Sequence, residues 1–179
     1  MISDARLTLL RTSLDSEPYS NKVTSLCIRK DLGVREHPLT IELDKNKGVL
    51  GDRWIWKTWM YLENGDPDPR VQVAVCNARI LKLLQEEKNN DYHPGDNIIV
   101  DRDLPAEEFS PAARFQIGSA ILEVSTVYND ACAKFARELG KDVLKWINLP
   151  EHLPLNLRGI YCQIVESGTV YLGDKLQIL

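Results

Sequence analysis

Cys132 is the residue of this chain best placed for chemistry. The stretch Asn129-Asp130-Ala131-Cys132-Ala133-Lys134-Phe135-Ala136-Arg137-Glu138-Leu139-Gly140 puts a thiol in the first turn of a predicted helix, which Asn129 or Asp130 can cap and Gly140 can stop. The backbone dipole is positive there, but it is worth only about 0.3–1 kcal/mol, less than one unit on a thiol that starts near pKa 8.5. The helix alone therefore leaves the sulfur protonated at neutral pH. A bound metal would deprotonate a ligating thiol outright, so chemistry at Cys132 calls for a cofactor. The same spacing also fits packing: Cys132, Phe135 or Ala136, and Leu139 recur at helical period, and the Asp130 carboxylate opposes the dipole.

A second cluster is Gly48-Val49-Leu50-Gly51-Asp52-Arg53-Trp54. Its glycines permit a tight backbone path. Asp52 beside Arg53 could orient a guanidinium fork toward a phosphate, or the two could form an exposed ion pair on a turn. Arg158-Gly159, opening a strand, poses the same choice between anion binding and solvation. Trp54, Trp56 and Trp59 could line a ring-binding surface or pack half-buried. Cys27, Cys76 and Cys162 fall in apolar strand-like runs and read as structural. His37, His93 and His152 precede or nearly precede prolines in loop-like sequence and read as surface residues without ligand partners. No nucleophile elbow, zincin helix or phosphate-binding glycine loop is present in the sequence.

The elements that must position these residues are mostly strands. Val23–Ile28, Leu39–Leu43, Val71–Val75, Asn97–Val100, Ile121–Val127, Gly159–Val165 and Lys175–Ile178 are rich in Val, Ile or Leu and bounded by turn residues. A helix is predicted between Asn77, its cap, and Asn90, and another over Asp142–Asn148. Ser167-Gly168 and Gly173-Asp174 predict a tight C-terminal antiparallel meander, and Glu63–Pro69 an exposed acidic loop. The pattern is mainly β with short helices, a barrel or curled sheet. With 179 residues, 44% hydrophobic and 27% charged, one domain spanning residues 1–179 is expected.

A net charge of −4 and a pI near 5.4 argue against nucleic acid or a membrane surface as partners. The four cysteines form no C-x-x-C pair, so reduced thiols and a cytoplasmic location are expected. The N-terminal residues carry no secretory pattern, and no apolar run reaches the length of a membrane span.

In order, Gly48-x-x-Gly51-Asp52-Arg53, Gly95-Asp96-Asn97, Ile117-Gly118-Ser119-Ala120-Ile121-Leu122-Glu123-Val124, Cys132-Ala133-Lys134-Phe135, Leu157-Arg158-Gly159-Ile160 and Gly168-Thr169-Val170-x-x-Gly173-Asp174 resemble the MOSC domain, the molybdenum cofactor sulfurase C-terminal module. The match is firmest from about 43 to 179, with residues 1–42 as N-terminal strands of the same domain. Ala131 stands where many relatives have proline, and Trp54 where histidine is common.

The resemblance implies a closed or nearly closed β-barrel, and a cysteine, here Cys132, that carries sulfur or ligates molybdenum. It implies molybdenum cofactor (molybdopterin) held through its phosphate by Arg53, Arg158 and Lys134, with Asp52 and Asn97 contributed by the matching motifs. A soft thiolate suits a metal already held by sulfur. The expected function is that of a molybdoenzyme reducing N-hydroxylated small molecules, fed by a separate redox or sulfur-donor protein. The alternative is a non-catalytic module that carries sulfur or cofactor to another protein. Pyridoxal phosphate is not expected in this chain, and whether the protein is an enzyme is left open by the sequence.

Overall fold

The computed structural model describes residue 12 and residues 18–179. Among the described residues, twelve strands run in chain order: β1 (Val23–Leu26), β2 (Ile28–Asp31), β3 (Val34–Glu36), β4 (Thr40–Asp44), β5 (Gly48–Val49), β6 (Val73–Asn77), β7 (Ile98–Val100), β8 (Arg114–Ile117), β9 (Ala120–Val124), β10 (Ile160–Glu166), β11 (Gly168–Tyr171) and β12 (Leu176–Ile178). Between Val73 and Leu179 the α-helices are α1 (Ala78–Lys88), α2 (Ala133–Leu139) and α3 (Lys141–Ile147). The main sheet has seven strands in the order β1-β7-β6-β10-β9-β8-β12, with a three-stranded sheet β11-β4-β5 and the β2-β3 hairpin beside it. Together they make a mainly β fold whose main sheet curls into a nearly closed barrel.

Alternation places the core. Along β10, Ile160, Cys162 and Ile164 point inward, where they join Val73, Val75, Leu122 and Phe115. Among the described residues only β6 and β7 pair in parallel, and α1 makes the crossover between them that a parallel pair requires. Asn77 caps α1 by accepting from the Arg79 amide at 2.8 Å, and Asn89 ends the helix in the left-handed conformation. Ile80, Leu83 and Leu84 of α1 then pack on Phe135, Leu139, Val143 and Trp146 of α2 and α3. A seven-residue helix such as α2 is too short to hold by propensity alone, so this packing holds it in place. Truncating fully buried Leu139 to alanine would cost about 2–5 kcal/mol and loosen the helix that follows Cys132.

Several expected elements differ. The strand predicted over Val23–Ile28 is broken at Cys27, whose amide donates to the Asn97 carbonyl at 2.9 Å while Asn97 Nδ2 donates to its carbonyl at 3.1 Å. The chain thereby leaves the main sheet and turns into the hairpin. The strand predicted from Val71 starts at Val73, because Pro69–Val71 form a 3-10 turn capped by Asp68. The C-terminal strands are not a meander: β11 pairs with β4 and β12 with β8. The C-terminal strand is nevertheless tied into the barrel. Among the described residues, no helix is long and apolar enough to cross a membrane.

Candidate functional site

The backbone before α2 sets the position of the Cys132 thiol. Ala131 has φ +67°, a left-handed conformation outside the right-handed helix, so α2 starts at Ala133 and Cys132 lies just before it rather than in its first turn as predicted. Cys132 is its cap residue, in extended conformation and with no side-chain capping bond. Asn129 does not cap the helix. It is buried, accepts from the Ala131 amide at 3.3 Å, and donates to the Arg158 carbonyl at 3.3 Å, tying the cysteine loop to the start of β10. Gly159 makes this approach possible: with φ +89°, a Cβ there would lie 2.1 Å from the Val75 carbonyl oxygen.

Cys132 is exposed and opens onto a cavity of about 330 Å³. The cavity wall carries the cations Arg29, Arg35, Arg53, Lys134 and Arg158 against the carboxylates Asp31, Asp96 and Asp130. Arg53 and Arg158, far apart in sequence, thus line one cavity together with Cys132 and Lys134. Trp59, Tyr92 and Tyr161 complete its aromatic side, and Trp59 contacts Tyr161 with ring centroids 5.7 Å apart.

The cations are held differently. Arg158 is buried and its Nη1 donates to both oxygens of Asp96 at 2.9 Å, while its Nε is buried with no hydrogen-bond partner among the described residues. Burial opposes its charge, but Asp96, Cys76 and Tyr161 outweigh that and raise its pKa above the ordinary guanidinium value. Arg29 is forked by buried Asp52, which accepts from its Nε at 2.8 Å, its Nη2 at 3.0 Å and its backbone amide at 2.8 Å. Among the described residues, Arg35, Arg53 and Lys134 have no carboxylate partner. Arg35 and Lys134 both approach the Tyr92 ring, at 5.7 Å and 5.9 Å from its centroid. Burial, the first of several causes, pushes the Tyr161 phenol up to about 12, so it is a neutral donor at the cavity wall.

Two of the predicted site residues lie behind the wall. Asp52 was expected to orient Arg53. Its carboxylate instead serves Arg29, the Trp54 amide at 2.9 Å and Asn97 Nδ2 at 3.1 Å, and the Arg53 guanidinium donates to the Lys57 carbonyl at 3.4 Å. Asn97 is fully buried and bonds the Ala74 amide, Cys27 and Asp52. Both hold the frame on which Arg29 is displayed. Trp54 is buried under Gly48, whose Cβ would meet its ring at 2.7 Å, so it packs rather than binds; Trp59 is the tryptophan that lines the cavity. The expectation of three surface histidines fails for His152, which is buried with Nδ1 at 2.6 Å from the Trp146 carbonyl. His93 is half-buried.

A family model described as MOSC domain matches residues 68–177. The chain belongs to the MOSC domain family. The matched segment contains Cys132, Lys134, Asp96, Asn97 and Arg158, whereas Arg29, Arg35, Asp52 and Arg53 come from the part of this MOSC protein that precedes it. Among solved structures it is similar to the YuaD protein of Bacillus subtilis, with TM-score 0.59 and 18% identity over 88% of this chain and 94% of that one. It is also similar to YiiM of Escherichia coli, with TM-score 0.58 and 13% identity over 88% of this chain and 69% of that one. YiiM of Geobacillus stearothermophilus gives TM-score 0.53 and 13% identity over 88% and 74%. At these identities the likeness is one of fold. A comparison with curated proteins finds no match.

Arg29 and Arg35 are functional candidates that sequence reasoning on the MOSC motifs missed. The available signal was the alternation of Arg29 and Asp31, then Arg35, around the Leu32-Gly33 turn, which puts polar side chains on one face of a short hairpin.

Proposed function

We propose that this MOSC protein binds molybdenum cofactor in the Cys132 cavity and reduces N-hydroxylated small molecules. The observation that carries the reading is an exposed thiol sharing one cavity with Arg35, Arg53 and Lys134, three cations without carboxylate partners among the described residues. Such a wall suits an anionic group, and the unpartnered buried Nε of Arg158 adds a donor that a bound acceptor would satisfy.

Cys132 would hold the metal, and Arg35, Arg53 and Lys134 the phosphate, with Arg158 fixed by Asp96 at the cavity wall. When bound, the cofactor supplies two-electron redox chemistry. The chain's own residues bind, orient and screen. Asp52 and Asn97 keep Arg29 in place, Tyr161 and Trp59 present an aromatic wall to the substrate, and the protonated Tyr161 phenol can donate a hydrogen bond. The net conversion R–NHOH + 2e⁻ + 2H⁺ → R–NH₂ + H₂O draws its electrons from a separate redox protein, since the chain carries no flavin or iron–sulfur motif.

A second reading rests on the exposure of Cys132 at an uncapped helix start: a persulfide there could be handed to another protein, making the domain a carrier. Protein purified from a host that makes the cofactor is assayed for molybdenum, for sulfane sulfur, and for reduction of a hydroxylamine with a reconstituted donor. One molybdenum per chain, lost in Cys132→Ser, supports the enzyme. Sulfane sulfur without molybdenum supports the carrier, and neither would sink both.

A further inference from the structure

Beside the Cys132 cavity, but outside its lining, three segments bring together the chemistry of a metal site. Cys27 sits at the break between β1 and β2, His37 just after β3, and His93 in the loop before β7. Each offers one ligand atom, and the three atoms lie within 4.8 Å of one another. The two imidazoles meet edge to face with centroids 4.6 Å apart. Donors on a tetrahedral zinc ion are roughly 3.3–3.7 Å apart, given Zn–N near 2.0 Å and Zn–S near 2.3 Å. Exposed His37 has the freedom to make the closing movement.

The surroundings of the two histidines point the same way. His37 Nδ1 lies 3.2 Å from the Leu26 carbonyl. Donating there leaves Nε2 with its lone pair, the arrangement by which a backbone carbonyl fixes a metal-binding tautomer. His93 Nε2 is buried and has no hydrogen-bond partner among the described residues. A buried nitrogen without a partner is unfavourable, and coordination would satisfy it. His93 Nδ1 accepts from the Gly95 amide at 3.0 Å, so coordination through Nε2 moves the ring proton to Nδ1 and displaces that amide. Around the three residues, Asp52 neutralises Arg29 and Asp96 neutralises Arg158, and the remaining charge of Arg35 faces the Cys27 sulfur, where it favours the thiolate that a metal needs.

We propose that Cys27, His37 and His93 form a binding site for a borderline-soft divalent transition metal, zinc foremost, with a fourth position open to solvent beside His37. The thiol loses its proton to the solvent on coordination, and no electrons are transferred. The ion would be structural. It would pin the β2-β3 hairpin, which carries Arg29 and Arg35, to the loop that carries Tyr92, Gly95 and Asp96, all of which line the cavity.

The test uses the full chain with Cys132→Ser, stripped of metal, so that the exposed thiol contributes nothing and the outcome is independent of molybdenum. Titration with Co²⁺ should give a thiolate-to-cobalt charge-transfer band that saturates at one equivalent and is displaced by Zn²⁺. Adding Zn²⁺ should also shift the Gly95 amide resonance. His37→Gln, at an exposed position, should weaken Co²⁺ binding at least tenfold, and Cys27→Ser should abolish the band. If Cys27→Ser does not fold, His37→Gln decides alone. A folded Cys132→Ser protein without the band, or a band of unchanged affinity in His37→Gln, overturns the site.

Discussion

Arg29 and Arg35 are directly opposed in the β2-β3 hairpin, two like charges in cross-strand register, and both line the Cys132 cavity. Such a pair destabilises a hairpin, by about 0.2–1 kcal/mol, unless something else holds it. Asp52 neutralises only Arg29. Arg35→Gln should therefore leave thermal stability unchanged or raise it slightly, while lowering affinity for inorganic pyrophosphate about tenfold, the size of one charge-assisted hydrogen bond. Calorimetric titration and a melting curve on the same variant check both halves. Unchanged affinity would remove Arg35 from the anion site.

Asp52→Asn should do the opposite. The carboxylate is buried and accepts from Arg29, the Trp54 amide and Asn97, so the amide would leave the Arg29 guanidinium, itself largely buried, without its counter-charge. Breaking one side of such a pair costs about 3–5 kcal/mol. Urea unfolding should show a loss of that order, and Asp52→Asn combined with Arg29→Met should recover part of it. Equal stability of the single variant and the parent would mean that the pair contributes little.

What could be read from the sequence divides along physical lines. Strands such as β4, β7 and β10 and the helix capped by Asn77 announce themselves by period and local capping, which act within a few residues. The hairpin is less legible, since Arg29, Asp31 and Arg35 are charged and only three or four residues make each strand. The role of Asp52 could not be read locally either. Its neighbour Arg53 is the obvious partner in sequence, but the partner in space is Arg29, 23 residues away. Likewise His37 and His93 carry no shared spacing, and only the fold brings them together beside Cys27. Cys132 is picked out by its place at a helix start and Arg158 by its place at a strand start, but that they line one cavity leaves no periodic trace, because the barrel brings distant segments together.

Ala131 offers a direct test of how the cysteine is positioned. At φ +67° an alanine is strained by about 1–2 kcal/mol, and glycine is not. Ala131→Gly should be neutral or stabilising by up to about 1 kcal/mol once the added flexibility of the unfolded chain is counted. Ala131→Pro cannot adopt this φ and also loses the amide that donates to Asn129, so it should destabilise by about 3 kcal/mol or move the thiol. Melting temperatures and the rate of Cys132 alkylation measure the two effects; a stable, unshifted proline variant would contradict the loop conformation.

The four thiols should separate cleanly by reactivity. Cys132 is exposed, whereas Cys27, Cys76 and Cys162 are buried. Burial pushes Cys27 from 9.0 to about 11 and Cys76 from 9.0 to about 12, and raises Cys162 further. Two units of displacement reduce the thiolate fraction about a hundredfold, on top of steric shielding. At pH 8 the native protein should therefore take up one equivalent of iodoacetamide rapidly, none in Cys132→Ser, and the other three only on unfolding. The same shifts set an alkaline limit. Because the folded pKa values lie above 9.0, the unfolded chain releases these protons first. In metal-stripped protein the stabilisation is thus complete below pH 9 and is lost as pH rises toward about 11 for Cys27 and about 12 for Cys76. Denaturant midpoints measured from pH 8 to 11 should fall along this window, and Cys76→Ala should flatten part of the slope even if its absolute stability is lower. A midpoint that rises through the window, or rapid labelling of a second thiol at pH 8, would show that these sulfurs are not held protonated in the core.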